Sequence, residues 1–147
     1  MTRRYFLMAA CLVAASVATA GAQKAHYRAR LSPVPLDLAM QATIAGSGTV
    51  TATLTGTTLT LAGDFAGLRT AATVARLHRS PRTAMRGPAI GDLTIAPGTS
   101  GTIAGTLELT KEQVDDLANG RLYIQLHSEK APEGNLWGWL FIQEGRK

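Results

Sequence analysis

Residues Gly120–Leu140 read GRLYIQLHSEKAPEGNLWGWL, and this segment alternates apolar and polar residues on either side of a short polar interruption. Such alternation is typical of two β-strands joined by a tight connection. Because successive side chains of a strand point to opposite faces, Leu122, Ile124 and Leu126 share one face. His127 therefore ends the first strand on its other, more polar face.

The second half of the segment is apolar on both faces. Alternation places Trp137, Trp139 and Phe141 on one side and Leu136 and Leu140 on the other. One interpretation buries both sides, with the indoles packed under an arginine-rich loop or the N-terminal segment. In the other, the aromatic face is presented to a partner, where indoles can stack on sugar rings or form a protein interface.

The rest of the chain repeats the pattern of short alternating segments separated by Gly, Pro and Asp. This spacing predicts an all-β fold, an antiparallel sandwich or barrel. Thr55-Gly56-Thr57 predicts a hairpin turn. The predicted strands are His26–Leu31, Thr49–Leu54, Thr58–Phe65, Thr73–His78, Ile90–Ile95, Thr102–Leu109, Leu122–His127 and Asn135–Ile142.

One short helix is predicted just before Gly120–Leu140. Thr110 is a good N-cap, and Gln113 three residues later completes a capping-box pattern. Val114 and Leu117 fall on one face, and Gly120 supplies a C-terminal stop. We expect about two turns that cover one end of the β-structure.

The N-terminus has the pattern of a cleaved signal peptide over residues 1–22, which leaves one domain over residues 23–147. Arg3 and Arg4 precede the uncharged apolar run Tyr5–Ala18, which is too short to span a membrane and ends in small residues. We therefore expect a periplasmic or secreted protein without a transmembrane anchor after cleavage. The start resembles the twin-arginine export motif, but general secretory signals also carry paired arginines, so both routes stay open.

Charge and cysteine content exclude several classes of protein. The formal net charge of +5 would fall to +3 with the loss of Arg3 and Arg4, which gives no basis for nucleic-acid binding. Cys11 is the only cysteine and would leave with the signal peptide. The mature chain would then have no disulfide, zinc–thiolate site or cysteine nucleophile.

Several segments occur in the order found in one known family. In chain order they are Gly48–Leu54, Leu59–Leu61, Phe65–Leu68, Thr73–His78, the Gly87-Pro88 loop, Gly105–Leu107, Leu122–Ser128, Pro132-x-Gly134 and Gly138-x-Leu140. They resemble the CHRD (chordin-type) domain over His26–Phe141, in a single-domain secreted bacterial form. The resemblance implies an immunoglobulin-like or Greek-key antiparallel β-sandwich with one short helix, an extracytoplasmic location and no established enzymatic activity.

Two histidines are the candidate metal ligands. The family pattern has His-x-His before the Gly-Pro loop, but here Arg76 takes the first position and His78 the second. His127 can meet His78 if their strands are neighbours, and Glu129 or Glu133 would add a carboxylate for copper or zinc. The alternative is that both histidines hydrogen-bond to loop backbone and hold the turns.

A basic stretch over residues 69–86, here called the arginine segment, is the second candidate contact region. Its arginines can dock an anionic partner such as phospholipid, lipopolysaccharide or acidic polysaccharide, or they can be solvated. Acidic residues that can pair with them inside the molecule are Asp64, Asp92, Glu129 and Glu133. The candidate partner-binding residues are Trp137, Trp139, Arg76, Arg79, Arg82 and Arg86.

No catalytic constellation is apparent in the sequence. There is no Gly-x-Ser-x-Gly elbow, and Ser128 and His127 are adjacent in a strand and so point apart. Asp115 and Asp116 on the short helix are expected to face solvent. We therefore expect a non-enzymatic binding or structural module without a cofactor, whose partner is a protein, a polysaccharide or an anionic envelope surface. The alternative is a copper- or zinc-binding or redox domain that uses His78 and His127.

Overall fold

The computed structural model describes residues 23–35 and 37–144, so the signal peptide predicted over residues 1–22 lies outside the described residues. Within them the chain forms nine strands, a short 3₁₀ turn at Met40–Ala42 and one α-helix. The strands are β1 (Lys24–Pro33), β2 (Ser47–Thr55), β3 (Thr58–Ala66), β4 (Ala72–Arg79), β5 (Ala89–Ile95) and β6 (Gly101–Glu108), followed by the helix α1 (Lys111–Ala118) and then β7 (Leu122–Ser128), β8 (Ala131–Trp139) and β9 (Phe141–Ile142).

Strands β1 to β8 close into an antiparallel barrel. The order is β2-β3-β6-β5-β4-β7-β8-β1, and β1 also pairs with β2 along most of its length. Strand β1 also pairs with β8, at Ser32↔Trp137 and Pro33↔Leu136, which closes the barrel. The two-residue strand β9 adds to β1 at Tyr27↔Ile142 and Arg28↔Phe141.

The predicted all-β, antiparallel architecture with one short helix is confirmed, but an immunoglobulin-like sandwich of two separate sheets is not what the chain forms. Strand β5 pairs with β4 at Leu93↔Ala75 and with β6 at Thr94↔Ala104, as β1 pairs with both β2 and β8. Strands β1 and β5 thus join the two sheets into one. Their pairing satisfies the backbone hydrogen-bonding groups that would be exposed at the edges of a sandwich. The spatial order β7-β4-β5-β6 is that of a Greek key.

The barrel interior is filled by the inward-facing residues of the strands. Leu59, Leu77, Ile124 and Leu126 are fully buried, and they belong to one continuous apolar cluster. Burying each such side chain contributes about 1.5–3 kcal/mol relative to leaving it exposed. The alternation predicted for Leu122–His127 is therefore confirmed for its apolar face.

Helix α1 connects β6 to β7 and covers one end of the barrel. The Thr110 side chain accepts from the Gln113 backbone, and the Gln113 side chain accepts from the Thr110 backbone, so the predicted capping box is present. Leu117 is fully buried and Gly120 takes a positive φ of 67° just after the helix, as predicted. Across residues 23–35 and 37–144 no helix is long and apolar enough to cross a membrane.

One prediction for α1 was wrong. Asp115 is exposed as expected, but Asp116 is only 6% exposed and lies under two guanidinium groups. Arg79 Nε donates to one of its carboxylate oxygens, and Arg121 Nη1 lies 3.3 Å from the other. The helix is thereby tied to β4 and to the start of β7, which sequence spacing alone does not indicate.

Candidate functional site

The outer face of β4, β7 and β8 carries a second layer of side chains above the barrel. Tyr123 and Gln125 point away from the barrel core, yet they are only 1% and 3% exposed. Two segments cover them: the loop between β4 and β5, and an irregular stretch of β8. That stretch arises because Ala131 pairs with Ser128 while Leu136 already pairs with Leu126, so β8 has extra residues.

The extra residues of β8 present backbone carbonyls to this second layer. Pro132 O lies 2.8 Å from His127 Nδ1, and Glu133 O accepts from Gln125 Nε2 at 2.9 Å. Glu133 O also accepts from Arg86 Nη1 at 2.8 Å. The bulge is therefore held by side chains from two other elements.

Aromatic rings form the centre of the second layer. Tyr123 stacks on His78 at a centroid distance of 4.9 Å and on Trp139 at 5.0 Å. Trp137 meets Trp139 edge to face at 4.5 Å. The Tyr123 hydroxyl also accepts from the Gly87 backbone at 3.0 Å. Buried Tyr123 thus contacts both indoles, and its own position is fixed by His78 and by the Gly87 backbone.

A groove of about 630 Å³ opens beside the indoles, along the outer face of β1, β8 and β9. In this region β1 pairs with β8 at Ser32 and Pro33 and with β9 at Tyr27 and Arg28. Strands β1 and β8 approach closely at Gly138, where a Cβ would collide with the Arg30 carbonyl oxygen. The lining consists of Arg28, Arg30, Ser32, Thr49, Trp137, Gly138, Trp139, Phe141 and Gln143. We call this the arginine–tryptophan groove.

The arginine–tryptophan groove is basic, and its lining contains no carboxylate among the described residues. Arg28 and Arg30 are exposed on the outer face of β1, and neither belongs to an ion pair within the described part of the chain. Trp137 and Trp139 are half-buried, and Phe141 is 51% exposed. Cationic donors therefore stand opposite flat apolar rings.

His78 and His127 lie on neighbouring strands, as the metal hypothesis requires, but the register keeps them apart. His78 pairs with Tyr123 and His127 with Val74, which puts them four residues, or about 13 Å, apart along the ladder. Arg76 and Gln125 lie between them. In the described ranges no group of three or more His, Cys, Asp or Glu side chains is arranged to hold a metal ion.

Both histidines hydrogen-bond to loop backbone. His78 Nδ1 lies 2.9 Å from Gly87 O, and His127 Nδ1 lies 2.8 Å from Pro132 O. A carbonyl only accepts, so each Nδ1 carries a hydrogen, and in the neutral form of either ring the lone pair lies on Nε2. Both Nε2 atoms are buried without a partner among the described residues. Burial lowers the pKa of His78, and Arg76, Arg86 and His127 lower it further, against the raising effect of Gly87 O.

The arginine segment is largely occupied inside the molecule. Arg76 pairs with Asp92 at 2.8 Å, as the list of acidic candidates anticipated. Arg79 pairs with Asp116, which that list omitted. Arg86 bonds to Glu133 through the backbone and lies 5.9 Å from the Trp137 ring centre. Arg82 is exposed and its Nε donates to Met85 Sδ at 2.9 Å.

The structure brings the two predicted tryptophans together with two arginines that sequence reasoning missed. The Trp137 ring lies near Arg86, in line with the interpretation that packs the indoles under the arginine-rich loop. Both indoles nevertheless also line the arginine–tryptophan groove. The alternation of β1 puts Arg28 and Arg30 on its polar face, and this signal was present in the sequence. The pairing of β1 with β8, which places these arginines beside the tryptophans, could not be predicted from the sequence.

Comparison with known proteins identifies one domain family. A sequence profile of the CHRD domain matches residues 27–140, which is most of the chain. No curated protein and no solved structure matches it. The matched region runs from within β1 to the residue after β8, and so it includes the aromatic layer and most of the arginine–tryptophan groove. The chain belongs to the CHRD domain family.

Proposed function

We propose that this protein is a secreted, non-enzymatic binding module of the cell envelope or extracellular space. The observation that carries the proposal is the arginine–tryptophan groove, in which Arg28 and Arg30 face Trp137 and Trp139. Buried Tyr123 holds Trp139 in place before any ligand arrives. Such preorganisation reduces the entropy lost on binding.

The chemistry of the lining favours binding over turnover. It combines two guanidinium groups and three aromatic residues with hydroxyl and amide groups, and across residues 23–35 and 37–144 it includes no histidine or carboxylate to act as a general base. The two histidines of the outer layer bond to backbone through Nδ1 instead. A site of this composition can hold a ligand by charge and stacking.

The proposed compartment rests on the signal-like pattern of residues 1–22. The test is the intact mass of the protein recovered from periplasm and culture medium. A mass that corresponds to a chain starting near Gln23 supports export with cleavage. A full-length chain confined to the cytoplasm would refute it.

The binding role is tested by co-sedimentation of purified residues 23–147 with insoluble cell-envelope material from the source organism. We expect the wild type to sediment and an Arg30→Glu/Trp139→Phe variant to stay in solution. Lys24→Glu is the matched control, because it reverses an exposed charge on β1 that does not line the groove. Equal sedimentation of all three proteins, or of none, contradicts a binding role for this groove.

A copper- or zinc-binding role is the second candidate, and the buried, unpartnered Nε2 atoms of His78 and His127 favour it. Metal-binding histidines usually donate their other ring nitrogen to a carbonyl or carboxylate, as both do here. Calorimetric titration with copper and zinc salts tests this role, with His127→Gln as the ligand-deficient variant and His26→Gln as the control. Loss of a heat signal only in His127→Gln supports it, and no binding below millimolar metal rejects it.

A further inference from the structure

We propose that the arginine–tryptophan groove binds a carboxylated polysaccharide, a chain of sugar units that carry uronic-acid groups. This inference rests on the proposed binding role and names its ligand class. It differs from the expectation drawn from the sequence, which placed anion binding on the arginine segment. Three features of the groove carry it: free guanidinium groups, rigid indoles and a concave shape.

The guanidinium groups of Arg28 and Arg30 are available for anions. The residues are two apart on one strand face, which spaces their Cα atoms about 6.5–7 Å apart. Each planar fork can bind a carboxylate through two parallel hydrogen bonds. In the part of the chain that the structure describes no carboxylate lines the groove, and Asp64 on the same outer face is separated from Arg30 by Thr49 of β2. The arginines of the arginine segment, by contrast, mostly have internal partners.

The indoles supply the second half of a sugar-acid site. Tyr123 covers one face of Trp139, and the indole also borders the groove. Flat apolar rings fit the non-polar faces of sugar rings, while Ser32, Thr49 and Gln143 offer hydrogen bonds to hydroxyl groups. A carboxylated sugar combines a negative charge, a flat apolar face and hydroxyl groups in one unit, which matches this lining.

The shape of the groove favours a polymer over a membrane surface. A volume of about 630 Å³ lies within the range of roughly 300–1,000 Å³ typical of small-ligand sites. Binding to a membrane surface relies on a broad apolar face that enters the headgroup layer. Among the described lining residues Phe141 is the one apolar side chain that is more than half exposed, whereas Trp137 and Trp139 are half-buried.

The experiment is a titration of purified residues 23–147 with oligogalacturonate, followed by tryptophan fluorescence, beside neutral dextran and phosphatidylglycerol vesicles. We expect a saturable signal with oligogalacturonate only, and weaker binding at high salt. Arg30→Gln should raise Kd about tenfold or more, because it removes a charged group that binds a carboxylate through two hydrogen bonds. Arg30→Lys should recover only part of this loss, because lysine lacks the planar fork.

Controls separate the ligand from the fold and from the binding role. Lys24→Glu should bind nearly as the wild type does, and circular dichroism checks that each variant is folded. Equal binding of dextran, or tighter binding of vesicles than of oligogalacturonate, overturns the proposal. Absence of oligogalacturonate binding also overturns it. If envelope material still sediments the wild type and not the groove variant, only the ligand class falls and the binding role stands.

Discussion

Tyr123 is the residue around which the outer layer is organised. It lies between His78 and Trp139 in a three-ring stack, and its hydroxyl accepts from the Gly87 backbone at 3.0 Å. Tyr123 therefore connects the β4–β5 loop to Trp139, which lines the groove.

We expect stability to fall as the pH drops below about 6.5, because His78 resists protonation in the folded state. Burial lowers its pKa from the usual 6.5. Below that value the unfolded chain binds more protons than the folded chain, so stability is lost as the pH falls through the folded pKa. Arg76, Arg86 and His127 act in the same direction. Urea midpoints from pH 5 to 8 measure the effect.

The matched variants for this pH dependence are His78→Phe and His26→Gln. The first replaces the titrating ring by one that can still stack on Tyr123, so its pH slope should be shallower. The second removes an exposed histidine whose Nδ1 contacts Thr53, so it should keep the wild-type slope. Equal slopes in all three proteins would rule out His78 as the source.

Gly138 permits the close approach of β8 to β1. A Cβ at this position would meet the Arg30 carbonyl, which is backbone and cannot rotate away. We therefore expect Gly138→Ala to lower the free energy of unfolding by about 1–3 kcal/mol, as overpacking does. Gly56→Asn is the control, because nothing lies near its Cβ and asparagine tolerates positive φ. Urea denaturation that shows the two variants equally stable would contradict this role.

At the scale of elements, α1 is attached by charge as well as by apolar contact. Leu117 packs into the barrel end, and Asp116 holds Arg79 of β4 and Arg121. The Asp116 side chain is 9% exposed, but its partners are 39% and 46% exposed. Water therefore screens part of the attraction.

We expect Asp116→Asn to cost about 1–3 kcal/mol of unfolding free energy, since hydrogen bonds to charged groups contribute roughly this much. Asp115→Asn, on the exposed side of the same helix, should change it by less than about 0.5 kcal/mol. Chemical denaturation at low and high salt measures both. An effect of Asp116→Asn no larger than that of Asp115→Asn would show that the ion pairs do not anchor the helix.

Local patterns predicted the elements well and their pairing poorly. The capping box of α1 and the hairpin turn at Gly56 could be predicted from the sequence because their interactions span only a few residues. The predicted strand Asn135–Ile142 is instead the end of β8, a break at Leu140 and the separate strand β9. Alternation continues across that break, so it cannot reveal that Phe141 pairs with Arg28 of β1.

The same limit explains the candidate site. The apolar face of Trp137 and Trp139 was visible in the sequence, whereas their opposition to Arg28 and Arg30 depends on residues more than 100 positions apart. Asp116 was misjudged for a similar reason. Its partner Arg79 comes from a strand that precedes the helix by more than 30 residues.

At the scale of the whole molecule, the barrel is a single cooperative unit. One apolar cluster runs through residues of β1 to β8 and of α1, with no second core of comparable size in the described ranges. We expect one two-state transition in urea, with coincident midpoints by tryptophan fluorescence and far-ultraviolet circular dichroism. Two separated midpoints would mean that the outer aromatic layer opens independently of the barrel.

Because β1 pairs with both β2 and β8, the barrel cannot close until β8 has been synthesised. As the chain is synthesised, β1 can find β2 at once, but β8 and β9 do not exist until about residue 142 has emerged. A nascent chain that ends before Leu136 therefore has an unclosed sheet and only part of the groove. Closure joins the two ends of the domain in one late step, and contacts between such distant residues make folding slow. Premature termination anywhere before Trp137 would remove both the last barrel pairing and the binding surface.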